Sequence, residues 1–450
     1  MQPNYPKVAL YDPSTSGGIT HYTFELAEGL AKVGCSATVI TSENYELRHV
    51  DRNFDVWFLF KPSLIKSWSA RIFRLVSNRT TGHDRASTPA IRQTITGQHA
   101  WLTGRLKSLS YTIRLFKAAF VLLLNGTRIV HIQWMMDRRA DLRFIYLLRL
   151  LRFKIVYTVH NLLPHDEHTP ENRAFFERVY RIPDRLIVHS ENNRKEMLEL
   201  FTVDPGKITM IPHGCQSVLF EHVPARPTAA RDELGIPEDR QVILFFGMIK
   251  PYKGLDVLLQ AFDTIRARCN RAMLVIAGQI AEDPATYRHY STLLAKYSLD
   301  DSLRVRNEYI PLEQVSSYFS AADLVVLPYL RASQSGVLLA AYAAGKPVVA
   351  TDTGGLSEVV KHGVSGFVVP PNDPQAIAEA SIAILNDRAF RDQLGLAAKT
   401  LATTTFSWST IARTTADLYY GLLHSESAVR LAQGQKHSLS EAASGVASRE

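Results

Sequence analysis

PYLRASQSGVLLAAYAAGKPVVATDTGGLSEVVKHGVSGFVVPPND, residues 328–373, is the stretch around which the rest of the chain reads as organised. An apolar strand ends at Pro328, a polar loop follows, and a short helix of small side chains starts near Ser335 and runs over residues 337–344. Gly345 then supplies a left-handed cap and Pro347 forbids continuation, so residues 347–350 start a new apolar strand. A second glycine turn follows at Gly354 and Gly355. A strand, a polar turn and a helix N-terminus together present backbone N–H groups and the positive end of a helix dipole to a phosphate. Taken alone, this helix reads as an ordinary unit of an α/β protein. Two polar glycine turns so close together favour a diphosphate site, with Ser335, Gly336 and Val337 at its mouth and Gly354 and Gly355 beside it.

The same stretch resembles the donor-site signature of glycosyltransferase family 4, retaining enzymes of the GT-B fold. The run Ala344-Gly345-Lys346-Pro347-Val348-Val349 matches that signature, as does the later Gly354-Gly355-x-x-Glu358. The sequence departs from it at two positions. Ala332 and Ala340 stand where the family carries glutamates eight positions apart, and Gln334-Ser335 replaces its Phe-Gly. An alanine cannot accept hydroxyl hydrogen bonds, so the ribose contact expected at 340 passes to Gln334 or to a backbone carbonyl. The members it resembles are the bacterial, exopolysaccharide-type enzymes.

With 450 residues, two domains are expected, each able to bury its own core. A hydrophobic fraction of 46% and a charged fraction of 21% are those of a soluble globular chain. No apolar run approaches the roughly 18 residues of a membrane span, and the N-terminus runs almost directly into a strand. The expectation is a cytoplasmic protein. Cys35, Cys215 and Cys269 are widely spaced and odd in number, which fits neither a disulfide framework nor a zinc site. The net charge of +8 and pI near 9.2 call for an acidic partner such as a phosphate-bearing substrate, anionic lipid or nucleic acid. With no recognisable nucleic-acid module, that last partner is set aside.

Outward from the opening stretch, the chain reads as two doubly wound parallel-sheet halves facing each other across a cleft. The first, residues 1–215, begins with a strand at 8–11, a Gly17-Gly18 loop and a helix over 20–33. That glycine pair is not a dinucleotide fingerprint. It reads equally as a tight turn and, by the resemblance, as a loop touching donor phosphate or acceptor. Strands at 128–134, 155–159, 186–189 and 208–211 follow. His160 sits at the carboxyl end of one of them, where polar groups point into a crevice. It reads as a buried histidine or, by the resemblance, as a group near the acceptor, and His165, Asp166 and Glu167 are weaker candidates. Between Lys61 and Lys154 the only acids are Asp84, Asp137 and Asp141, and basic residues interleave with apolar ones at helical spacing. That pattern fits a solvated basic face and also docking to the inner face of an anionic membrane, towards which the scarcity of acids tips the reading.

Residues 216–240, with Pro224, Pro227 and Pro237, read as a linker. The second half, 241–405, begins with a strand at 242–246 and the loop Gly247-Met248-Ile249-Lys250-Pro251-Tyr252-Lys253-Gly254. Lysines beside a helix N-terminus suit a departing diphosphate. By the resemblance Lys253-Gly254 matches the family's Lys-Gly, while Met248 stands in place of its arginine, so Lys250 and Lys253 carry the expected catalytic charge. A helix over 410–423, within 406–424, is expected to pack across the domains, and 425–450 reads as a disordered tail. No metal-ligand spacing and no Asp-x-Asp is present, so neither metal nor cofactor is expected. The activity so implied is metal-independent, retaining transfer of a hexosyl group from a nucleotide-diphosphate sugar to a lipid-linked or cell-surface saccharide. A non-catalytic nucleotide-sugar-binding homologue, suggested by Ala332 and Ala340, is the competing reading.

Overall fold

The computed structural model describes residues 5–60, 110–163, 169–215, 227–297 and 301–424. It contains two sheets. The first takes β1 (Val8–Tyr11), β2 (Ala37–Ser42), β3 (Asp55–Phe60), β4 (Ile129–Ile132), β5 (Lys154–Thr158), β6 (Arg185–Val188) and β7 (Ile208–Met210) in the order β3-β2-β1-β4-β5-β6-β7. The second takes β8 (Gln241–Phe246), β9 (Ala272–Ala277), β10 (Leu303–Arg306), β11 (Leu324–Leu327), β12 (Val348–Thr351) and β13 (Gly366–Val369) in the order β10-β9-β8-β11-β12-β13. The strands pair in parallel, for example Val8 with Ala37 and with Ile129, and Phe246 with Ala277. In each sheet the order reverses beside the first strand, the arrangement of a doubly wound fold. β1, β9, β11 and β12 are buried along their whole length. Such strands, covered by helices on both faces, read as continuous apolar runs such as Leu324-Val-Val-Leu327.

The chain divides into two compact units, Met1–Thr158 with Ala174–Ile187 and Ala412–Glu450, and Val159–Arg173 with Val188–Ile411. The expected strands and helices are present with ends shifted by a few residues. Edge strands β3 and β13 and the helices Pro374–Asn386 and Arg388–Thr403 were not anticipated from sequence. The stretch 216–240, expected as a linker, contains the helix Pro227–Leu234. Residues 61–109, most of the acid-poor region, lie outside the described residues, as do His165, Asp166, Glu167 and the tail after 424. No helix among the described residues is long and apolar enough to cross a membrane.

The first unit carries a buried polar link. His131, in the middle of β4, is wholly buried, with Nδ1 2.6 Å from the Tyr419 hydroxyl and Nε2 2.7 Å from the Thr158 hydroxyl. The hydroxyls can each donate or accept, so they satisfy either neutral tautomer of the imidazole. They tie the helix over residues 408–424 to β4 and β5. Removing one partner leaves a buried nitrogen to bear its desolvation cost. Tyr419→Phe is therefore expected to lower unfolding free energy by about 1–3 kcal/mol in a denaturant titration, with an unchanged slope.

Candidate functional site

The site is built from the loops that leave the carboxyl ends of the second sheet's strands. β8 runs into Gly247, which holds φ at +91°. The loop returns through a short turn, Pro251–Lys253, to Gly254, left-handed at φ +66°, from which the helix Leu255–Arg268 starts. A side chain on Gly254 would place its Cβ 2.0 Å from the carbonyl oxygen of Pro328, at the end of β11. This glycine is needed for both conformation and approach.

The turn aims Lys253 back at Gly247. Its ammonium lies 3.0 Å from where a Cβ on Gly247 would sit, and Cγ2 of Val337 lies 3.7 Å from the same point. The missing side chain of Gly247 thus gives Lys253 its place beside the first turn of the helix Gly336–Ala343. Ser335 caps that helix, its hydroxyl accepting from the Leu338 N–H at 3.2 Å. Lys253 is 8% exposed and its Nζ sits 5.7 Å over the Tyr329 ring. Burial, reinforced by the charge of Lys250, lowers its pKa to about 8. Lys250, half-buried, lines a separate cavity of about 590 Å³ with Met248, Gln279 and Asp283. Lys253 and Val337 therefore meet beside Gly247, Ser335 caps the helix that carries Val337, and Lys250 lines a neighbouring hollow.

The second glycine turn is held to the loop before Ser335. A Cβ on Gly354, at φ +54°, would fall 1.5 Å from the Ala332 carbonyl oxygen, and the Gly355 N–H donates to the Ser333 carbonyl at 3.2 Å. Ala332, Ser333 and Gly354 line a cavity of about 770 Å³ with Tyr252 and Leu330. The two signature-glutamate positions thus have different surroundings: Ala332 faces this cavity, while Ala340 is 2% exposed. Gln334 lines a narrower hollow with Ser335, His189 and His213. Glu358 has both carboxylate oxygens engaged, accepting from the backbone N–H groups of Glu191 at 2.8 Å and Asn192 at 2.7 Å. It caps the helix Glu191–Leu200, a role that favours a carboxylate.

Histidine occupies the loop after each of three successive strands: His160 after β5, His189 after β6 and His213 after β7. Nδ1 of His189 lies 2.9 Å from the Ile211 carbonyl oxygen and must donate to it, which leaves Nε2 as an acceptor. That Nε2 sits 3.4 Å from Nδ1 of His160, so the proton between them belongs to His160. Nδ1 of His213 similarly donates to the Gly214 carbonyl at 2.7 Å. Burial lowers the pKa of His189 to about 3 and of His213 to about 4. Both are neutral at physiological pH, and His189 presets the tautomer of His160. Sequence reasoning selected His160 and passed over the other two, although the repeated strand-end histidine was legible.

In the first unit, Gly17 at φ +91° opens the helix Gly18–Lys32, and its N–H donates to Glu46 Oε2 at 3.1 Å. Space around a Cβ at Gly17 or Gly18 is open, so the turn at Gly17 is required by its backbone angle. Asp12, just after β1, was not singled out from sequence. It is buried, accepts from the Ser14 N–H at 3.0 Å, and burial raises its pKa. Among the described residues, no group of three His, Cys, Asp or Glu side chains could hold a metal ion.

The sequence and the fold have counterparts in known proteins. Residues 16–216 match the family model described as Glycosyltransferase Family 4, and residues 228–401 match Glycosyl transferases group 1. A D-inositol 3-phosphate glycosyltransferase of Streptosporangium roseum is 31% identical over 283 residues, 60% of this chain and 64% of that protein. The chain thus spans just under two thirds of that relative's length. The enzyme of the same name from Corynebacterium glutamicum is 32% identical over 298 residues, 62% of this chain and 70% of the relative. Sucrose-phosphate synthase from Thermosynechococcus elongatus superposes with a TM-score of 0.68 at 22% identity, covering 93% of this chain and all of that one. Anabaena HepE in complex with UDP-glucose gives 0.68 at 17% identity, covering 92% and 99%. Two parallel sheets of the GT-B type, glycine turns at the carboxyl ends of β8 and β12, and family matches over both halves of the sequence together show that the chain belongs to the group 1, family 4 glycosyltransferases.

Proposed function

We propose that this protein transfers a hexosyl group from a nucleotide-diphosphate donor to a hydroxyl acceptor with retention of configuration, using protein cations to meet the leaving group. The observation that carries the reading is the buried Lys253 ammonium, seated against Gly247 beside the first turn of the helix Gly336–Ala343. As the sugar–oxygen bond breaks, charge grows on the departing diphosphate. A desolvated ammonium and a helix N-terminus interact with that charge more strongly than they would in water. The donor's phosphates lie between Lys253 and the Ser335–Val337 backbone, and Lys250, from the neighbouring hollow, adds positive potential. The acceptor hydroxyl attacks from the face the diphosphate leaves. UDP and UDP-glucose are the first donors to test, since HepE binds them. Acceptors to test are inositol 3-phosphate, suggested by the relatives' names, and lipid-linked saccharides of the exopolysaccharide type, suggested by the sequence signature.

The alanines at 332 and 340 favour a second reading, a homologue that binds the nucleotide sugar without turning it over. Turnover of labelled donor, measured beside donor binding, separates the two: saturable binding with no product supports the second.

Lys253→Ala is expected to lower kcat by about 10²–10³, with chelator leaving the wild-type rate unchanged. Near-normal turnover in this variant, or activity lost with chelator and restored by Mg²⁺, would overturn the assignment. With a pKa of about 8 in the free protein, Lys253 is protonated below that pH and loses its charge above it. Above the pH of about 6 at which the terminal phosphate itself ionises, nucleotide-diphosphate affinity should therefore hold steady to about pH 8 and fall beyond it. Lys253→Arg should abolish that fall, because a guanidinium stays charged.

The described helix over residues 110–124 exposes Ile113, Phe116, Lys117, Phe120 and Leu124, while the half-buried Arg114 donates to the Leu59 carbonyl at 2.8 Å. We assign this face to docking on an anionic membrane, each basic residue near the surface contributing about 1 kcal/mol. Sedimentation should show salt-sensitive binding to anionic vesicles. Equal partitioning to neutral and anionic vesicles would refute it.

A further inference from the structure

At the opposite end of the second sheet, the strand starts of β8, β11 and β12 surround a cavity of about 810 Å³ that the proposed transfer does not use. Seven cationic side chains line it against four acidic ones, so its wall carries an excess of positive charge. Its inner part gathers Arg231, Arg391 and Lys346 around Asp323, with Asp392 4.0 Å from Arg391. Asp323, immediately before β11, accepts from the Arg231 guanidinium at 2.8 Å and from the Val242 N–H at 2.7 Å through Oδ2. Its Oδ1 lies 3.3 Å from the Arg391 guanidinium. One carboxylate is thus shared by two guanidinium groups, and all three side chains are only 13–15% exposed.

Lys346, just before β12, adds a third cation. Its Nζ donates to the Ser320 carbonyl at 3.0 Å, and burial lowers its pKa to about 8. Concentrating like charges where water is scarce disfavours the charged forms unless an anion is held among them. No aromatic side chain lines the cavity, so it offers no platform for a nucleobase. The chemistry it does offer is guanidinium forks and an ammonium, the groups that recognise phosphate oxygens.

We propose that this cavity is a second ligand site, which takes a compact phosphate-class polyanion at Lys346, Arg231, Arg391 and the rim residue Arg240. Its place at the amino ends of the strands whose carboxyl ends carry the donor loops makes it a separate site. Lys346 stands three residues beyond the helix Gly336–Ala343, whose first turn lies beside Lys253.

The test is calorimetric titration of the full chain with inorganic pyrophosphate, with saturating nucleoside diphosphate present to fill the donor loops. Inorganic phosphate and a sugar monophosphate serve as parallel arms, to distinguish a diphosphate ligand from a phosphorylated metabolite. Saturable binding is expected to persist in Lys253→Ala and to weaken roughly ten- to hundred-fold in Lys346→Met, the effect of removing one hydrogen bond to a charged group. Arg240→Gln, at the half-buried rim, should weaken it in the same direction and serves as the readout if Lys346→Met does not fold. The proposal is overturned if none of the three anions gives saturable heat, if binding disappears with nucleoside diphosphate or in Lys253→Ala, or if it is unchanged in the folded Lys346 and Arg240 variants.

Discussion

The loops at the carboxyl ends of the second sheet depend on places where a Cβ cannot fit. Gly254 lies against the Pro328 carbonyl, Gly278 against the Gly247 carbonyl, and Gly354 against the Ala332 carbonyl. Each of the three also has a positive φ, so conformation and contact select glycine together. The consequence is backbone packed on backbone across neighbouring strands. The rim of the sheet becomes a continuous surface of peptide groups, in which the N-terminus of the helix Gly336–Ala343 and the Lys253 ammonium converge beside Gly247.

Charge is placed on this frame by burial. Lys253 and Lys346 occupy opposite ends of the same sheet, and burial lowers both to a pKa of about 8. An exposed lysine would keep its charge and its water shell. A desolvated one gains more from an arriving phosphate, because few solvent dipoles already compensate it. The strand-end histidines follow the same logic with the opposite result. Burial keeps His189 and His213 neutral, and the backbone carbonyls of Ile211 and Gly214 fix which nitrogen carries the proton.

The alanines at the signature-glutamate positions shift work to other groups. Ala332 contributes its carbonyl to the Gly354 contact and its small side chain to the 770 Å³ cavity. Glu358, the acidic residue of the second glycine turn, spends both oxygens on the helix Glu191–Leu200. The polar groups near the mouth of the capped helix are thus Gln334, Ser335 and the neutral histidines.

Local signals in the sequence marked most of the elements and the turns, but not the helices Pro374–Asn386 and Arg388–Thr403. Continuous apolar runs marked the buried parallel strands, and Gly254, Gly345 and Gly354 marked backbone that only glycine adopts readily, because both signals are local and act within a few residues. Lys253 stands out by the same kind of local signal, beside a glycine and directly before a helix. Edge strands β3 and β13 were less visible, being covered less evenly than the central strands. Which of these local pieces meet is a property of the three-dimensional fold. That Gly247 makes room for Lys253, that His189 orients His160, that Glu358 caps a helix more than 150 residues earlier, and that Asp323 is shared by Arg231 and Arg391 are contacts between residues distant in sequence. Such contacts are set by strand order and by burial, and burial also fixes the charge state of each lysine and histidine. Composition and spacing carry neither quantity, because desolvation depends on what the fold packs around a side chain.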